Sequence, residues 1–153
     1  MARMRINAGE EYALKLENFG RDAPEIAKKV VYAGANPVAD AIRENLIKNL
    51  KDPSYAGTGT GSTKLNKYTG DLLDSFGVTP ASEDSKGNTN VKIGFGGYDR
   101  KGVPNALKAR AMESGTSRLK KRPFVRPAVN KTRKIAVEEM GKKLDEQMKI
   151  YAL

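Results

Sequence analysis

The chain has 153 residues, 39% hydrophobic and 7% aromatic, and its 28 Lys and Arg against 18 Asp and Glu give a net charge of +10. It has no Cys and no His, which excludes disulfide scaffolds, thiolate or imidazole zinc sites, Cys nucleophiles and every Ser–His relay. The length implies one domain over 1–153 with a modest core; no apolar run reaches the ~18 residues of a membrane span, and residues 1–7 lack the apolar stretch of a secretory signal.

Asn7, with Glu10 three residues on, reads as the cap of a first helix. Tyr12, Leu16 and Phe19 fall near one face of it, and Gly20 is expected to end it. Asp22 then caps a second helix with Pro24 in its first turn. Ile26, Val30, Ala33, Val38, Ala41, Ile42, Leu46 and Leu50 recur at helical spacing, and Pro37 predicts a kink or break among them. Residues 53–69 are small, polar and Gly-rich, and read as a flexible loop. Residues 70–76, capped by Thr69, form about two helical turns anchored by Leu72, Leu73 and Phe76.

Residues 76–80 and 90–95 are strand candidates; the second alternates, with Val91, Ile93 and Phe95 on one face. The polar stretch 82–88 between them reads as a hairpin turn. Residues 96–103 form an exposed loop, and a third helix starts near Pro104 and stops at Gly115. After a basic loop over 117–122, a last helix starts near Pro123 or Pro127, with Val129, Ala136, Met140, Leu144 and Met148 as its buried stripe. The expected class is α+β, long N- and C-terminal helices packed on a small antiparallel sheet with long polar loops. A lone hairpin is marginal, so a further strand is expected from residues 4–8 or from a neighbouring subunit.

The charge is lopsided. Residues 1–100 carry a net +1 and residues 101–153 a net +9. Arg118, Lys120, Lys121, Arg122, Arg126, Lys131, Arg133 and Lys134 form the densest basic stretch. Their spacing suits sequence-blind contact with phosphates, because no aromatics are interleaved for base stacking; a solvated basic loop is the plain alternative. Gly61-Ser62-Thr63-Lys64 lacks the Gly-Lys-Ser/Thr order of a phosphate-binding loop. Asp71 and Asp74 share a helix face and could hold magnesium, but Glu83, Asp84 and Asp99 lie in turns with nothing to fix them, and complementing the helix dipole accounts for the pair. No catalytic residue, cofactor site or metal site is assigned.

Two stretches are familiar together. Residues 68–76, Tyr-Thr-Gly-Asp-Leu-Leu-Asp-Ser-Phe, and residues 112–129, with Glu113-Ser114-Gly115-Thr116 followed by Arg122-Pro123-Phe124-Val125-Arg126-Pro127-Ala128, resemble hallmarks of a tailed-bacteriophage neck family. It is the gene-product-ten type of head–tail connector or tail-completion protein. The chain departs from the family pattern at Ser114 and in the basic insert 118–121.

The resemblance implies a non-enzymatic virion component, assembled in the bacterial host cytoplasm and placed in the neck of the particle. It implies a homo-oligomeric ring of six or twelve subunits around the DNA channel. Its neighbours would be a head-closure or connector protein and a tail-terminator or tail-tube protein, with non-specific contact to genomic DNA and no membrane. Gly70, Leu72, Phe76, Glu113, Gly115, Thr116, Arg122, Pro123, Phe124, Arg126 and Pro127 are the motif residues. Gly115 is expected in the left-handed region, Thr116 bonded to its turn, Phe124 buried against Leu72 and Phe76, and Arg122 and Arg126 facing a neighbour's carboxylate or the channel. A purely intramolecular motif that shapes the chain reversal is the competing expectation. A small, basic, sequence-nonspecific nucleic-acid-binding protein is the alternative function, and a phosphodiesterase built on Asp71 and Asp74 the third.

Overall fold

The computed structural model describes residues 8–52 and 70–151. Residues 8–51 form one helix, α1 (Ala8–Lys51), where two were expected. Gly20 does not end it, Asp22 does not cap it, and Pro24 and Pro37 lie inside it. An interior proline removes one amide donor and crowds the carbonyl four residues back, at about 3 kcal/mol in an isolated helix. The residue four back from Pro24 is Gly20, which has no side chain to obstruct the carbonyl's shift. The compensation is tertiary: α1 lies antiparallel along α4 (Val125–Ile150), with Asn45 bonded to Phe124 at one end and Asp22 to Tyr151 at the other.

That pairing also explains the stripe α4 buries. Ala128, Thr132 and Gln147 are buried, whereas Val129 and Leu144, expected inside, are 39% and 38% exposed. The helices meet through small residues. A Cβ on Gly34 would sit 2.5 Å from Met140 Cγ and 3.2 Å from the Ala136 carbonyl. Close approach selects Ala128, Thr132 and Ala136 and turns the larger apolar neighbours to the flanks. Thr132 satisfies its buried hydroxyl by donating to the Ala128 carbonyl at 2.7 Å.

Between the long helices lie α2 (Asp71–Asp74), β1 (Phe76–Val78), β2 (Ser82–Glu83), β3 (Thr89–Asn90), β4 (Ile93–Phe95) and α3 (Asn105–Ser114). The strands form one nested antiparallel hairpin, β1 on β4 with Phe76 opposite Phe95, and β2 on β3 with Ser82 opposite Asn90. The two pairings are separate two-stranded sheets; between them the Thr79 amide donates to the Lys92 carbonyl at 2.8 Å, and Pro80, which has no amide to donate, falls outside both ladders. No third strand joins the hairpin among the described residues; residue 8 already belongs to α1, and residues 1–7, with the Asn7 cap, lie outside them, as do 53–69, with the Gly-rich loop and Thr69.

Two loops share one device. Asp84 Oδ1 accepts from the amides of Lys86 and Asn88, and Asp99 Oδ1 from those of Lys101 and Val103, each closing an Asp-x-x-Gly turn with Gly87 or Gly102 at positive φ. These carboxylates are therefore fixed, contrary to the sequence expectation. The core sits where the hairpin, α3 and the start of α4 converge on the C-terminal half of α1. Ala39, Ile42, Leu46, Phe76, Ala109, Met112, Phe124 and Ala128 make it, with Leu72, Leu73, Ile93 and Phe95 packed around.

Candidate functional site

The chain reversal between α3 and α4 is held from every side. Gly115 follows α3 at φ 76°, its amide donating to the Ala111 carbonyl at 2.8 Å. A Cβ there would lie 2.9 Å from the Lys121 nitrogen and 3.1 Å from the Leu119 carbonyl, so both conformation and space require glycine. Thr116 Oγ1 accepts from the amides of Arg118 and Leu119, and the Thr116 amide donates to the Leu119 carbonyl at 2.8 Å. The returning chain is tied to the end of α3 by the Arg122 amide, which donates to the Met112 carbonyl at 2.7 Å.

Glu113 closes the reversal. Its carboxylate accepts from the amides of Phe124 at 2.7 Å, Val125 at 2.9 Å and Arg126 at 3.0 Å. These are first-turn donors of α4, which a helix leaves without internal partners. Pro127 comes next and has no amide to satisfy. A residue at the end of one helix thus caps the start of another. Burial pushes the Glu113 carboxyl pKa up, but the three amides and the nearby Arg126 charge more than offset that, and the net shift is downward.

The sequence reading missed the part α1 plays. Asn45 Nδ2 donates to the Phe124 carbonyl at 3.2 Å, and Asn49 Nδ2 to the Arg122 carbonyl at 3.0 Å. One turn further Asp52 pairs with the Arg122 guanidinium. Asparagines three or four residues apart on a helix read as ordinary surface, and only their spacing with Asp52 hinted at a shared face. Arg122, expected to reach a neighbour or the channel, is bound within its own chain. Phe124 is fully buried in the cluster that holds Phe76 and Leu72, with its ring edge-on to Phe95 at 5.9 Å. Gly70 precedes α2 at φ 81°. Pro123 and Pro127 are exposed.

Around this clasp the other basic residues point outward. Arg118, Lys120, Lys121, Arg126, Lys131, Arg133 and Lys134 are all exposed, and none forms an ion pair among the described residues. No carboxylate occurs between Glu113 and Glu138. Exposed positive side chains therefore run in sequence from Arg118 through the first half of α4, on more than one face of that helix.

The carboxylates elsewhere are occupied or scattered. Asp71 pairs with Arg100 at 3.3 Å, Asp74 is exposed, and Asp84 is held by its own turn. The Lys108 ammonium, with the Val103 and Lys101 amides, lowers the Asp99 pKa to about 2. No group of three or more such side chains that could hold a metal occurs among the described residues.

A family model described as "Bacteriophage HK97-gp10, putative tail-component" matches residues 10–115. The match ends on Gly115, so the basic surface and α4 lie beyond it. No curated protein and no solved structure matches the chain.

Proposed function

The chain belongs to the HK97-gp10-like family of bacteriophage tail components, and from that premise we propose that it is a non-enzymatic neck protein, forming a homo-oligomeric ring at the head–tail junction around the DNA channel. The ring of six or twelve copies meets a head-closure or connector protein on one side and a tail-terminator or tail-tube protein on the other.

One observation carries this reading beyond the family: the exposed basic side chains Arg118, Lys120, Lys121, Arg126, Lys131, Arg133 and Lys134, which follow a turn clasped by Glu113. A ring that threads DNA must tolerate phosphates without holding bases, and diffuse Lys and Arg charge does that. The same surface would serve a free nucleic-acid-binding protein. That reading requires tight, steeply salt-dependent DNA binding by the isolated chain.

Particles assembled from a phage genome lacking this gene test the proposal. Filled heads and separate tails that fail to join, with joining restored when the protein is supplied, are the expected result. Joined, infectious particles without it would refute the neck role.

A further inference from the structure

The long first helix contains two glycine–proline pairs, Gly20 with Pro24 and Gly34 with Pro37, and the fold holds them very differently. Gly34 is pressed against Met140, and buried Ala35 and Ala39 flank Pro37. That turn cannot bend without breaking the contact with α4. Gly20 is exposed, and a Cβ added to it would meet nothing within 4 Å. Its φ is not in the left-handed region. Neither space nor backbone conformation therefore requires glycine at this position of the straight helix, and glycine weakens a helix interior. Pro24 lacks the amide that would bond the Gly20 carbonyl, so the same turn also misses a rung of the hydrogen-bond ladder. Glycine and proline are where helices kink.

One side chain braces this turn from outside. Tyr151, just past the end of α4, sets its ring edge-on to Phe19 at 5.5 Å, on the N-terminal side of Gly20. Its hydroxyl donates to Asp22 Oδ2 at 2.7 Å, on the other side. Its amide donates to the Met148 carbonyl at 3.0 Å, which anchors the brace to α4. The first buried residue of α1 is Ile26. Among the described residues, no hydrogen bond, ion pair or ring contact joins residues 8–18 to another element; the Glu11–Lys15 pair lies within the helix itself.

We propose that the Gly20–Pro24 turn is a hinge and Tyr151 its latch. With Tyr151 engaged, α1 runs straight. With Tyr151 released, residues 8–19 swing as one rigid arm about that turn, while the helix from Ile26 onward stays packed on α4. The brace is one ring contact and one hydrogen bond, so a modest difference in free energy separates the two arrangements. This device does not depend on the ring reading.

The absence of cysteine makes the test direct. Spin labels on A13C and N36C, both exposed positions, are 23 residues apart in sequence, which is about 35 Å along a straight helix. With Tyr151 intact, one narrow distance distribution near that value is expected. Tyr151→Ala should add a broad population about 3–10 Å shorter, the shift that bends of about 50–90° at the hinge require. Tyr151→Phe, which keeps the ring and loses the hydrogen bond, should add a smaller one. Gly20→Ala with Pro24→Ala restores the missing amide and should remove the short population from the Tyr151→Ala chain.

An unchanged narrow distribution in Tyr151→Ala would overturn the latch. So would short distances with Tyr151 intact, because the turn would then bend without release. A short population that survives Gly20→Ala with Pro24→Ala would put the bend elsewhere and overturn the hinge. If Tyr151→Ala lowers the melting temperature of the whole chain, Tyr151→Phe carries the test, and a distribution identical to that of the intact chain would overturn the latch.

Discussion

The reversal at 112–126 and the basic surface beside it occupy adjacent stretches of chain but use their polar groups in opposite ways. In the reversal nearly every donor has an internal acceptor: Glu113 takes three amides, Thr116 two, and Asn45 and Asn49 bind the returning carbonyls. In the surface, seven exposed cations form no ion pair among the described residues. Arg122 marks the boundary, basic by sequence yet tied to Asp52. A recognisable motif can therefore be scaffold while its less distinctive neighbours face the partner.

Substitutions should separate the two. The largest effect is expected from Gly115→Val, which forces a β-branched residue to φ 76° and pushes its Cβ onto Lys121. A loss of about 3 kcal/mol is expected, read as a fall of about 10 °C in melting temperature; normal melting would show that the reversal is not strained.

Glu113→Ala should lose about 2 kcal/mol by orphaning three helix-start amides, measured by urea denaturation. The pH dependence has a definite sign. The Glu113 pKa is lowered on folding, so its contribution is fully present above the unfolded value near ~4.3 and is lost as pH falls through the folded value. The stability gap between wild type and Glu113→Gln should close on acidification. A gap that widens would contradict the cap.

Gly34→Leu should cost about 1–3 kcal/mol by overpacking α1 against Met140 and the Ala136 carbonyl. Calorimetry checks this, and an unchanged melting temperature would mean that the helices are not in close contact there.

The smallest effect on stability, within about 0.5 kcal/mol, is expected from Lys120→Glu with Lys121→Glu, which should still impair head–tail joining. Arg122 is left out of that pair because its substitution would disturb the clasp. Infectious particles from the double variant would make this part of the surface a solubility feature only.

The sequence disclosed the elements whose cues are local. Alternation at Ile93 and Phe95 marked a strand, and Gly115 marked the end of α3 and its positive φ. Gly20, Asp22, Pro24 and Pro37 were all local stop signals, and each was overridden by packing of α1 along α4, which no local pattern encodes. The α4 stripe was misread because hydrophobicity favours Val129 and Leu144, whereas contact with Gly34 selects small residues. Glu113 was visible as a motif member but not as a cap, since its amides lie 11 to 13 residues away.

The most direct test is the structure of the assembled neck at side-chain resolution. The account expects Glu113 on the Phe124, Val125 and Arg126 amides of its own chain, with Lys120, Lys121, Lys131 and Lys134 turned toward DNA or a neighbouring protein. Glu113 capping another subunit's helix, or those lysines directed at bulk solvent away from every partner, would contradict it.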